Sequence, residues 1–94
     1  MAIDVCLTDE NGNPESNLVI WETFKGDTSI EAYVLLKYID PHGDTTFNTL
    51  QIADLISDMI RFKKTESCPA ADAIIELANR CRNEVHTYLV FYGD

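Results

Sequence analysis

Phe47-Asn48-Thr49-Leu50-Gln51-Ile52-Ala53-Asp54-Leu55-Ile56-Ser57-Asp58-Met59-Ile60-Arg61-Phe62-Lys63 decides the fold class, because it holds both a helix start and a helix stripe. Asn48 is placed to cap the helix, and Gln51, three residues on, to reach back to its amide. Phe47 before the cap and Ile52 after it form the matching hydrophobic staple. Ile52, Leu55, Ile56, Met59 and Ile60 recur at helical spacing, with Asp54, Ser57, Asp58 and Arg61 largely opposite. The helix is expected to run to about Lys63, its basic last turn (Arg61, Lys63, Lys64) complementing the macrodipole.

Working outward, a second helix opens at Pro69, where the missing N–H costs nothing. Its stripe is Ile74, Leu77, Ala78, Cys81 and Val85, and Glu76 and Arg80 are spaced for an i,i+4 ion pair. The segments flanking this pair of helices read as strands. Ile3 to Leu7 alternates apolar and polar, and Asn17 to Phe24 is rich in β-branched and aromatic residues. Between these two, Asp9-Glu10-Asn11-Gly12-Asn13-Pro14 is a dense turn cluster.

Residues 28–39 support two readings. Thr28-Ser29-Ile30-Glu31 fits a capping box, but Ala32 to Ile39 is a continuous apolar run of strand length. The strand is the preferred reading, and a run buried on both faces would make it the central strand. Asp40-Pro41-His42-Gly43-Asp44 closes it as a turn, and His86 to Tyr92 is the last strand. The expected fold is therefore α+β, a single domain over residues 1–94 in the order β-β-β-α-α-β. Short loops make the sheet antiparallel, with the two-helix hairpin packed on one face.

The charge is unevenly distributed. The net charge is −9, with eleven acids and two bases before residue 60 and five of each after it. Such a field repels nucleic acid and favours a basic partner, although high net charge also serves solubility. No apolar run approaches the ~20 residues that span a bilayer, and the first residues lack the basic region of a signal peptide. The three cysteines, Cys6, Cys68 and Cys81, do not describe a secreted disulfide framework, so a cytoplasmic location is expected.

Little in the sequence speaks for catalysis. His42 and His86 have no Cys or His at ligand spacing, and no cofactor or metal is expected. Asp40, His42 and Asp44 fall within five residues, but a turn accounts for them better than a metal or catalytic site. Cys68, before Pro69 at a helix start, is the one enzymatic hint, since a helix N-terminus lowers a thiol's pKa. The aromatic residues are core by default. Tyr88, Val90 and Tyr92 nevertheless share one face of the last strand and Leu89 and Phe91 the other, so one set is available as an aromatic interface patch.

Two stretches, Gly43-Asp44-Thr45-Thr46-Phe47-Asn48-Thr49-Leu50-Gln51 and Tyr88-Leu89-Val90-Phe91-Tyr92-Gly93-Asp94, carry a resemblance. In them the chain is similar to small bacterial immunity proteins of contact-dependent-inhibition and other polymorphic toxin systems. The resemblance implies a non-catalytic protein that covers the basic cleft of a cognate toxin, commonly a nuclease. The contacts it suggests are carboxylates of the acidic part: Glu22, Asp27, Glu31, Asp40, Asp44, Asp54 and Asp58. The alternative is an acidic regulatory adaptor or nucleic-acid mimic on a basic host protein. In either case the surface is expected around the sheet edge and the Asp40–Asp44 turn.

Overall fold

Ile3, Val5 and Leu7 alternate with Asp4, Cys6 and Thr8, and this alternation gives the sheet one apolar face. The computed structural model describes residues 2–22, 24 and 30–93. Its elements are β1 (Ile3–Asp9), β2 (Val19–Trp21), β3 (Asp44–Phe47), α1 (Ile52–Thr65), α2 (Ala71–Asn83) and β4 (Thr87–Tyr92). All pairings are antiparallel, in the spatial order β2-β1-β4-β3. The fold is α+β with the expected β-β-β-α-α-β order.

Registers Val5↔Phe91 and Leu7↔Leu89 bring the apolar residues of β1 and β4 onto one face. With Ile3, Trp21 and Phe47 they form the sheet's contribution to the core. α2 lies against β1, β4 and β2, and α1 packs along α2. Trp21, fully buried, meets the rings of Phe24 and Phe62 edge-on at 5.0 and 5.3 Å. Among the described residues its indole N–H has no hydrogen-bond partner, a rare state for a buried donor.

The central strand is not where the sequence suggests. No residue of 30–39 is in a strand; Leu36–Tyr38 is a 3-10 turn, and β1 and β4 are central. The physical cause is Asp58. Val34, Leu35 and Leu36 donate their N–H groups to its carboxylate at 3.1, 2.6 and 3.2 Å, so those donors are not available to a ladder. Ile30, Tyr33, Leu35, Leu36 and Ile39 are buried, while Glu31, Ala32, Val34, Lys37 and Tyr38 are exposed, so the segment packs one side on the core without a strand's alternation. Thr28 and Ser29, half of the alternative capping box, lie outside the described residues. The third strand is the short β3, immediately before the helix start.

α1 keeps half of its expected cap. The Asn48 N–H donates to Gln51 Oε1 at 3.0 Å, and Phe47 and Ile52 are both buried, but regular helix begins only at Ile52. The stripe is rotated from the expected one. Ile52, Leu55, Asp58, Met59 and Phe62 are buried, whereas Ile60 is exposed. Asp58, read as solvent-facing, is 1% exposed.

α2 begins at Ala71, with Pro69 in the turn before it. It ends at Asn83, so Val85 falls beyond the helix and is 81% exposed instead of lying on the stripe. Arg80 pairs with Glu84 at 3.0 Å rather than with Glu76. Both groups are well solvated, so water and salt screen the pair and it contributes little to stability. Arg80 also donates to Glu15 O at 3.2 Å and ties the helix to the β1–β2 connection.

Candidate protein-binding face

The helices cover one side of the sheet, and the other side carries the alternate residues of every strand. Asp4 pairs with Tyr92 and Tyr92 with Asp44, so β1, β4 and β3 place a carboxylate, a phenol and a carboxylate in one cross-strand row. Directly opposed residues share a face with Cβ atoms about 5 Å apart. Ile20 of β2, opposite Asp4, extends the row and is 52% exposed. One pair of residues further along the strands, Cys6, Val90 and Thr46 form the next row, and Thr8 and Tyr88 begin a third.

A groove of ≈ 380 Å³ runs over this face, lined by Asp9, Glu10, Asp44, Thr46, Tyr88, Val90 and Tyr92 among others. A second hollow of ≈ 240 Å³ lies between Ala2, Asp4, Tyr92 and Gly93. Tyr92 thus forms a wall of both. Burial, first of all, holds its hydroxyl above the ordinary tyrosine range, and the Asp44 carboxylate adds to the effect.

The carboxylates of the face differ in freedom. Asp9 is committed to its own turn. Its Oδ1 accepts the N–H groups of Asn11 and Asn13 at 2.8 and 2.9 Å, and these bonds hold its pKa below the usual value. Glu10 Oε2 lies 3.4 Å from His86 Nδ1. Asp4 and Asp44 have no cation within ion-pair distance among the described residues. The cations that find partners do so elsewhere: Lys37 over Tyr38, Arg61 over Tyr33, Lys63 with Asp72 and Arg80 with Glu84.

The edge of this face is anchored by the Asp40–Gly43 turn. Asp40 Oδ1 accepts the His42 N–H at 2.8 Å, and the Asp40 N–H donates to Thr45 Oγ1 at 3.0 Å. Gly93 donates its N–H to Gly43 O at 2.7 Å. The segment is a turn, as its residue types indicate, and it sets the end of β4 against the start of β3.

Of the seven carboxylates named from the sequence, the six that lie among the described residues do not converge. Asp40 and Asp44 lie together at the β3 edge, and Asp44 lines the groove. Glu22 follows β2 at the opposite edge of the sheet and lines a different hollow with Trp21 and Pro69. Asp54 is exposed on α1, on the helical side, and Glu31 is exposed on the 30–39 segment. Asp27 lies outside the described residues. Asp58 is buried and holds three backbone donors, so as a surface contact it is corrected to an internal structural group. Asp4, Asp9 and Glu10 were missed, although the alternation of β1 already puts Asp4 on the face away from Ile3 and Val5.

Among the described residues no group of three or more His, Cys, Asp or Glu is arranged to hold a metal ion. No described helix is long and apolar enough to cross a membrane. The three cysteines are free. Burial pushes the Cys68 thiol up, and the nearby N–H groups of Ala70 and Ala71 only partly oppose it. The helix-start effect read from the sequence is therefore outweighed. Cys68 is expected to alkylate with iodoacetamide at pH 7 more slowly than free cysteine; faster reaction would show an activated thiolate.

No family model, curated protein or solved structure matches the chain.

Proposed function

We propose that the protein binds and neutralises a basic protein toxin, a nuclease in the form the sequence resemblance suggests, by covering its substrate-binding surface. The observation that supports this reading is the Asp4–Tyr92–Asp44 row. It sets two carboxylates, neither with a cation partner among the described residues, on the face of the sheet away from the helices, in a chain of net charge −9. A basic cleft meeting this face gains electrostatic steering, and the half-buried tyrosines offer area for anchoring. Neutralisation of this kind needs no chemistry from the binder, only occupancy of the surface that the toxin's substrate would use.

The test is binding to the protein domain encoded next to this gene. The two are expected to co-purify at low salt, with association slowing as salt rises. Asp4→Lys combined with Asp44→Lys is expected to weaken the complex by roughly a hundredfold through like-charge contact. Glu22→Lys and Asp54→Lys, away from the face, should change affinity less than about threefold. A neighbour that does not bind, or binding insensitive to both salt and the double reversal, would remove the proposal.

A further inference from the structure

Tyr92 stands between two carboxylates that register with it on either side, Asp4 from β1 and Asp44 from β3. At ordinary cross-strand spacing these acids are separated by about 10 Å, with the phenol ring between them. The ring borders a hollow on each side, one shared with Asp44 and the other with Asp4. The row therefore combines a partly exposed aromatic ring, two carboxylates with no cation partner among the described residues, and a hollow on either side of the ring.

These features select among cations. A lysine ammonium is a point charge that satisfies one carboxylate. A guanidinium is planar, stacks on a ring and carries five N–H donors in its plane, so it can lie on Tyr92 and bond outward to an acid. The protein already places one guanidinium over a tyrosine, with Arg61 Cζ 4.6 Å from the centroid of the Tyr33 ring. Exposed Ile20, beside Asp4, supplies an apolar surface against which the methylene stem of an incoming side chain can rest.

We propose that the Asp4–Tyr92–Asp44 row is a seat for an arginine side chain of the partner protein, with the guanidinium flat on Tyr92 and its N–H groups donated to Asp4 or Asp44. This rests on the proposed binding of a basic protein and adds the group that is recognised and the residues that recognise it.

The probe is the capped peptide acetyl-Gly-Arg-Gly-amide, titrated into the ¹⁵N-labelled protein beside its lysine counterpart. Amide shifts are expected at Asp4, Ile20, Asp44, Tyr92 and Gly93, with the arginine peptide binding at least roughly threefold tighter. Asp4→Asn with Asp44→Asn, which removes charge at solvated positions, should weaken the arginine peptide about tenfold. Tyr92→Leu should abolish the preference for arginine over lysine, with folding checked by circular dichroism. Equal affinity of the two peptides, or shifts as large at Glu22, Glu31 and Asp54, would overturn the seat. A toxin that binds tightly while the peptides behave that way refutes the seat and leaves the neutralising function standing. A peptide that seats as described, with no basic protein bound by the chain, refutes the function instead.

Discussion

Asp58→Ala is expected to lower stability by about 3–5 kcal/mol, a large share of what a domain of this size possesses. The carboxylate accepts the N–H groups of Val34, Leu35 and Leu36, and the last two are buried. Alanine leaves those donors facing an apolar surround with no acceptor, and each orphan costs roughly 1–3 kcal/mol. Asp58→Asn keeps an acceptor oxygen but turns an amide NH₂ towards the remaining donors, so a loss of about half that size is expected. Urea unfolding measures both variants, and amide exchange at Leu35 and Leu36 locates the damage. A loss below about 1 kcal/mol for the alanine variant would mean that water takes over the three donors without difficulty.

Gly93→Ala is the second large effect. A Cβ at this position would lie 2.5 Å from Asp40 O, 2.6 Å from Gly43 O and 2.7 Å from Gly43 N. All three are backbone atoms, so no side chain can swing aside and the turn or the strand end must move. A cost of about 2–3 kcal/mol is expected, in the range of overpacking a tight site. Gly12→Ala is the contrasting control, since Gly12 has φ +83 but nothing within 4 Å of its added Cβ. Dihedral strain alone should cost about 1 kcal/mol there. Equal losses at the two positions would show that contact with the turn is not what requires glycine at residue 93. Because Gly93 adjoins Tyr92, its replacement should also weaken binding at the Asp4–Tyr92–Asp44 row.

The parts of the fold that were legible in the sequence are those set by local periodicity. β1 and β4 announce themselves by alternation, and both helices by their stripes. Gln51 reaching back to Asn48 is a contact three residues apart, so spacing alone reveals it. The 30–39 segment was misread because its conformation is imposed from a distance, by a carboxylate more than twenty residues away in sequence. An apolar run with no polar punctuation is compatible with a strand or with a 3-10 chain, and only the acceptor decides.

The same event hid Asp58 from the reading of the helix. A charged residue one step off an apolar stripe looks solvated until its partners are known. For the binding face, the alternation of Tyr88, Val90 and Tyr92 was visible. The neighbours of Tyr92 were not, because cross-strand register is a tertiary fact. Asp44 stands out as a carboxylate of the acidic part beside a marked turn, whereas Asp4 gains its place only through its register with Tyr92.

The spatial order of the sheet has a consequence for how the chain assembles. β4, the last strand in sequence, is the one inserted between β1 and β3. Until residues 87–92 are present, β1 has only the three-residue β2 beside it and β3 has no partner in the sheet at all. Joining residues 3–9 to 87–92 closes a loop of nearly the whole described chain, the kind of long-range pairing that makes folding slow relative to helix formation. Tyr92 belongs to that strand, so the row it completes cannot exist on a nascent chain before residues 87–92 have been made.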